Sequence, residues 1–198
     1  LQNVDHANTH SPFKEEIAPI KMSSLCAEID LPTVPLKDLN DEEGRIALCT
    51  LSAINWGNIK KPSDFQELCE LAVRGLDALL SYQNYPVRAA ELSTQEYRPL
   101  GIGIINFAYF LAKNGVSYSD PKALALVDEY AEAWSYYLIK ASADLAVEQG
   151  PCTKWENLKY ADGRLPIDTR KMEVDELVPH VERMDWDGLR NQILKSGI

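Results

Sequence analysis

Two textures alternate along the chain. From residue 1 to 62 no helical period is sustained, and Pro12, Pro19, Pro32, Pro35 and Pro62 punctuate the run, so loops and short extended pieces are expected. Ile17–Ile20 and Leu25–Ile29 are the better extended candidates. The apolar run Ile46–Ile54 reads either as a buried strand or as the start of a helix, because periodicity alone does not separate the two. From Ser63 the pattern changes: Phe65, Leu68, Ala72, Leu76, Leu79 and Tyr82 recur at steps of three and four, which predicts an amphipathic helix to about Tyr85. Ser63 is placed as its N-cap, with Glu67 near the capping-box position.

Residues 86–99 read as a loop between two prolines. Gly101-Ile-Gly103 then leads into Ile104, Ile105, Phe107, Ala108, Phe110 and Leu111, apolar nearly all round, which predicts a buried helix stopped at Asn114-Gly115. A long helix is expected from Pro121 to Glu148, with Leu124, Val127, Tyr130, Ala131, Trp134, Leu138, Ala141 and Leu145 on one face and Gly150-Pro151 ending it. Residues 151–185 return to loop texture, and Trp186–Lys195 closes the chain as a short helix. The expected class is α/β and helix-rich, in one segment over 1–198, with loops and strands over 1–62 and mainly helix over 63–198.

Composition narrows the function. The 198 residues are 45% hydrophobic and 25% charged, ordinary for a folded chain. A net charge of -10 opposes binding to phosphate backbones, so no nucleic-acid partner is expected. No stretch approaches the roughly 20 apolar residues that span a bilayer, and the N-terminus lacks the pattern of a signal peptide, so a cytoplasmic protein without membrane contact is expected. Leu1 in place of Met, with turn-rich sequence directly after it, reads as a cut edge.

Cys26, Cys49, Cys69 and Cys152 are too few and too scattered for a disulfide scaffold, so any cysteine chemistry would be catalytic or redox. Cys69, beside Leu68 on the proposed helix, reads as a small core residue, and Cys152 as a surface thiol in a loop. His6 and His10 would suit a metal on a helix, but Asn8 and Ser11-Pro12 argue for irregular backbone there, and no bound metal is expected. Gly101-x-Gly103 lacks the third glycine of a dinucleotide loop and reads as close packing or a buried helix start. Tyr130, Trp134, Tyr136 and Tyr137 read as a core face.

The sharpest local feature is Ser24-Leu25-Cys26-Ala27-Glu28. In an extended chain, alternation puts a hydroxyl, a thiol and a carboxylate on one side. Such a trio suits sulfur chemistry beside a general base.

Asn8-Thr-His-Ser-Pro12, Ser24-Leu-Cys-Ala-Glu-Ile29, Leu31-Pro-Thr33 and Gly44-Arg-Ile-Ala-Leu-Cys-Thr-Leu-Ser-Ala-Ile-Asn55, in that order and spacing, resemble the large subunit of class I ribonucleotide reductases. The resemblance continues through Leu79–Tyr85, Leu100–Tyr109, Tyr136-Tyr137-Leu138, Glu148-Gln-Gly150 and Leu165-Pro-Ile-Asp168, nearly the whole chain. It implies a fragment of a ten-stranded α/β barrel in which a finger loop carries a thiyl-radical cysteine, here Cys26. By the same resemblance, the Cys26 radical abstracts the 3′ hydrogen of a ribonucleoside diphosphate. Glu28 takes the 3′ hydroxyl proton while the 2′ hydroxyl leaves as water. Cys49 matches one of the two reducing cysteines, whose partner lies outside this sequence, and Ser24–Glu28 would form the substrate-facing loop.

The family usually has Asn where this chain has Ser24. Either Ser24 holds the substrate hydroxyl here or activity is impaired. The resemblance further implies the rest of the large subunit as a partner, a small metal-containing subunit that supplies the radical, and thioredoxin or glutaredoxin as reductant. The phosphate-binding loop would come after residue 198, so the chain alone is not expected to turn over. A helical interaction module without catalysis is the competing expectation.

Overall fold

The computed structural model describes residues 4–24, 29–170, 172–179 and 181–198. Leu25, Cys26, Ala27 and Glu28 therefore lie outside the described residues, as does most of the extended run expected at 25–29. Chain order is α1 (Val4–His10), β1 (Thr50–Asn55), α2 (Phe65–Tyr82), α3 (Arg88–Tyr97), β2 (Leu100–Ile105), α4 (Phe107–Lys113), α5 (Pro121–Gln149), α6 (Met172–Leu177) and α7 (Trp186–Ser196).

β1 and β2 pair in parallel, with Thr50 opposite Leu100 and Asn55 opposite Ile105. α2 and α3 make the crossover between them, as a parallel pair requires. The apolar run at 46–54 is thus a strand in its second half. Its two faces differ: Ile54 is buried under the helices, while Leu51 is 54% exposed on the opposite face. On β2, Ile102 packs into the helix-side core and Ile105 is 51% exposed.

The helix layer is built on α2 and α5. Trp56, fully buried just after β1, gathers Phe65, Phe107, Phe110, Tyr130 and Trp134 around its ring at centroid distances of 5.2–6.4 Å. Such edge and tilted contacts add to the stabilisation from burying the rings. α5 runs as expected from Pro121, with Asp120 accepting from the Lys122 N–H at 2.9 Å, and stops where Gly150 turns to φ +89. Its burial is wider than one stripe: Ala123, Ala133, Ala143 and Ala146 are covered, whereas Leu124 is 47% exposed. α7 docks on α5 through Trp186, Leu189 and Ile193.

The structure corrects several expectations. The segment holding His6 and His10 is helical; it is α1, its last carbonyls (Asn8 and Thr9) accepting from Lys159 Nζ at 2.6 and 3.0 Å. That long-range lysine cap is invisible to local pattern. Residues around 15–18 form a turn, with the Ala18 N–H donating to the Lys14 carbonyl at 2.8 Å, in place of an extended run.

Ser63 does not cap α2. The N-cap is Asp64, whose carboxylate accepts from the Lys60 and Lys61 N–H groups. The buried stripe of α2 is also rotated, to Phe65, Cys69, Val73, Leu76 and Leu80, leaving Leu68 and Leu79 half-exposed and Tyr82 exposed.

The loop expected over 86–99 contains α3, whose buried face is made of Ala89, Ala90, Ser93 and Thr94. Small and hydroxylated residues carry no apolar signal; Thr94 Oγ1 spends its donor on the Ala90 carbonyl at 2.8 Å. Last, Ile104 and Ile105 belong to β2, and the helix starts only at Phe107, after Asn106 adopts φ +61. Asn tolerates that left-handed conformation better than most side chains. The stretch 151–185, of loop texture in sequence, holds short 3-10 turns and the brief helix α6.

Candidate functional site

A cavity of about 550 Å³ opens between α1, the sheet, α2 and α5. Its wall includes His6 and His10 from α1, Phe13, the run Ile29-Asp30-Leu31, Cys49, Leu100 and Gly101 at the start of the strands, and Asp77, Arg98 and Cys152.

Cys49 stands one residue before β1, so strand alternation aligns it with Leu51 and Ala53, on the face opposite the core residue Ile54. Gly101 makes room for it. A Cβ at Gly101 would lie 3.0 Å from Cys49 Sγ and would collide with Leu51 Cδ2. Close packing is therefore the role of this glycine, and the alternative of a buried helix start is excluded by β2.

Of the segment Ser24–Glu28 and its flanks, Ser24 and the residues from Ile29 onward are described. Ser24 N–H donates to the Ile29 carbonyl at 3.1 Å, and Ile29 N–H donates back to Ser24 Oγ at 3.2 Å. Upstream, Asn8 is 2% exposed and grips the Ile20 backbone twice: Nδ2 donates to the carbonyl at 3.0 Å and Oδ1 accepts from the N–H at 2.8 Å. Ile29, Asp30 and Leu31 then line the cavity that Cys49 also lines. The structure thus brings Cys49 and the C-terminal flank of the loop to one cavity. Cys26 and Glu28 lie outside the described residues, and Ser24 is partly buried beside Ile29.

Asp77 and Arg98 on the wall are matched to each other. Arg98 holds φ +45 at the C-terminus of α3, a position that usually suits glycine, while its guanidinium donates to Asp77 Oδ1 at 2.6 Å, the Asp77 carbonyl at 2.8 Å and Ser81 Oγ at 2.9 Å. The His6 and His10 rings lie 4.4 Å apart. Among the described residues, no three of His, Cys, Asp or Glu gather in an arrangement that holds a metal ion.

The two remaining thiols are inert by burial. Cys69 is fully buried and its thiol is pushed up to about 12, as befits a small core residue. Cys152, a surface thiol by its sequence context, is instead 7% exposed, packed with Ala7, Phe13, Ile20 and Leu158, and burial pushes its thiol up to about 11. The Gly-Pro that precedes it looks like a surface turn in sequence, yet the backbone is drawn inward where the Cys152 N–H donates to the Ile198 carbonyl at 3.1 Å.

Asp77 and Arg98 line the cavity and are missed by sequence reasoning, as is the grip of Asn8 on Ile20. Asn8 does sit inside a motif that carries the resemblance, which is the available signal.

Comparison with known proteins gives a consistent result. A family model described as the ribonucleotide reductase barrel domain matches residues 1–198. The ribonucleoside-diphosphate reductase alpha subunit of Haemophilus influenzae is 54% identical over 198 residues, covering all of this chain and 26% of that relative. The ribonucleoside-diphosphate reductase 1 alpha subunit of Escherichia coli is likewise 54% identical with the same coverage. The alpha subunit of Enterobacteria phage T4 is 40% identical over 200 residues, again 26% of its length. The chain spans about a quarter of the length of these relatives, and within that span it belongs to the ribonucleotide reductase barrel-domain family.

Proposed function

We propose that this chain is the loop-bearing part of a ribonucleoside-diphosphate reductase alpha subunit and acts only within the larger subunit. The observation that carries the reading is the shared cavity: Cys49 and the Ile29–Leu31 flank of the loop border one space of nucleoside size. In that space Cys26, as a thiyl radical, removes the 3′ hydrogen of a ribonucleoside diphosphate. Glu28 accepts the 3′ hydroxyl proton, and the 2′ hydroxyl leaves as water. Cys49 and a second cysteine from outside the chain supply two electrons and two protons, ending as a disulfide. Cys26 then returns its hydrogen to the 3′ carbon. Leu25 and Ala27, with Ser24, complete the proposed substrate-binding residues.

The partners in this reading are the rest of the subunit, with its phosphate-binding loop, a small metal-containing subunit that generates the radical, and thioredoxin or glutaredoxin to reopen the disulfide. A cytoplasmic place in deoxyribonucleotide supply for DNA replication fits this reading. No described helix is long and apolar enough to cross a membrane.

The test is a chimera: the Haemophilus influenzae relative with its matching segment replaced by this chain, mixed with the small subunit and assayed for conversion of cytidine diphosphate to its deoxy form. Conversion that Cys26→Ser abolishes and Glu28→Gln lowers by at least about 100-fold supports the reading. A folded, assembled chimera without conversion would leave a non-catalytic helical module as the better account.

A further inference from the structure

Four segments that supply the cavity wall, through Leu31, Cys49, Tyr97 and Cys152, are joined by a side-chain pair that is not itself on the wall. Arg45 donates from Nε and Nη2 to the two carboxylate oxygens of Glu96, at 2.8 and 2.7 Å, and the two side chains are 17% and 15% exposed. The Arg45 backbone exchanges two hydrogen bonds of 3.0 Å with Val34, shortly after Leu31. Glu96 directly precedes Tyr97 at the end of α3; its carbonyl accepts from the Lys154 N–H at 3.0 Å and its carboxylate from Lys154 Nζ at 2.9 Å, just after Cys152. Arg45 lies four residues before Cys49, and Glu96 four residues before Leu100.

Resting on the functional reading above, we infer that Arg45 and Glu96 are positioning residues: without touching substrate, they hold the entries to β1 and β2 in register and so set where Cys49 stands in the cavity. The parallel ladder begins at Thr50 and Leu100, so Cys49 stands before its first rung. Upstream, the Arg45–Glu96 pair ties the same two chain segments, helped by the Ile46 N–H on the Ala89 carbonyl at 3.3 Å. Cys49 is thus held between two fastenings, and its fit is close, since a Cβ at Gly101 would lie 3.0 Å from its Sγ. A guanidinium matched to both carboxylate oxygens fixes direction as well as distance, which a lysine ammonium on one oxygen does not. Slippage of the β1 entry along β2 would move the thiol, and reacting groups displaced by about 1 Å lose on the order of 100-fold in rate.

The experiment uses the chimera with Arg45→Met, Arg45→Lys, Glu96→Gln and the double variant Arg45→Met with Glu96→Gln. Arg74→Met, which removes an ion pair with Glu148 away from the cavity wall, is the control. Each is read by hydrogen exchange over residues 46–52 without substrate and by kcat and KM for cytidine diphosphate. The expected result for Arg45→Met is exchange about tenfold faster or more, kcat lower by about 10- to 100-fold, and KM within about twofold of the unsubstituted value. Glu96→Gln changes exchange and kcat in the same direction, by about tenfold. Arg45→Lys recovers part of both, and the double variant loses little beyond the worse single one, because the two members of a pair do not add. Arg74→Met changes neither readout. If Arg45→Met does not fold, the near-isosteric Glu96→Gln decides. Unchanged exchange over 46–52, a preserved kcat, a raised KM in place of a lowered kcat, or an equal loss in Arg74→Met overturns the inference. A chimera that converts no substrate with Arg45 and Glu96 in place counts against the functional reading, while the exchange measurements still decide the fastening.

Discussion

At the scale of single residues, burial holds two of the described thiols in the protonated form. Cys69 and Cys152 carry thiols raised by burial to about 12 and about 11, so at pH 8 almost no thiolate is present on either; Cys69 is fully buried and Cys152 is 7% exposed at the cavity wall. Both should resist alkylation by iodoacetamide at pH 8 and react in full once urea is added, as read by peptide mass mapping. Rapid labelling of either in the folded chain would contradict their burial. Each thiol also holds its proton in the fold to higher pH than in the unfolded chain, so stability is unaffected near neutrality and falls as pH rises above about 9. Sequence identifies Cys69 correctly, because it sits inside a periodic helix. It misplaces Cys152, because the inward path of that backbone depends on Ile198, 46 residues away.

At the scale of elements, α5 and the approach to α7 are joined by a carboxylate hub. Glu132 is 7% exposed and accepts from the Arg183 N–H at 2.8 Å, Arg183 Nη1 at 3.0 Å, the Met184 N–H at 3.2 Å and Trp186 Nε1 at 3.1 Å. Asp128, one turn earlier, takes Arg170 at 2.6 Å and Arg183 at 3.1 Å. Removing Glu132 leaves the buried Trp186 Nε1 and the part-buried Arg183 and Met184 donors without this acceptor, so Glu132→Ala should cost about 1–3 kcal/mol in urea unfolding.

Burial opposes ionisation of Asp128, but Arg170 and Arg183 outweigh it and hold the carboxyl below its ordinary 3.8. A carboxyl depressed in the fold contributes stability above its unfolded value, and that contribution fades as pH falls below about 4. Asp128→Asn should flatten the acid side of the pH–stability curve in that window; an unchanged acid slope would show that the pair adds nothing.

The element scale also shows what local pattern carries. α5 and α7 are legible because they are long or capped by Asp120 and Asp185, whose carboxylates accept from Lys122 and Gly188. α3 is hidden because its buried face is Ala, Ser and Thr. β2 reads as the start of a helix because Gly101 and Gly103 interrupt the alternation that marks a strand.

At the scale of the whole molecule, the described residues form a two-stranded parallel sheet with helices on one face and Leu51 and Ile105 bare on the other, which fits one section of the barrel domain that the family model describes. The candidate site obeys the same logic: Cys49 is legible by its motif, whereas the enclosing cavity is assembled from α1, β1, β2, α2 and α5 and appears in no single stretch of sequence.

The measurement that bears most directly on this account is a single turnover by the pre-reduced chimera with its small subunit and no added reductant, and then disulfide mapping. The account predicts about one deoxynucleotide per competent site and Cys49 recovered in a disulfide with a cysteine from outside these 198 residues. Product formed while Cys49 remains a thiol would contradict it.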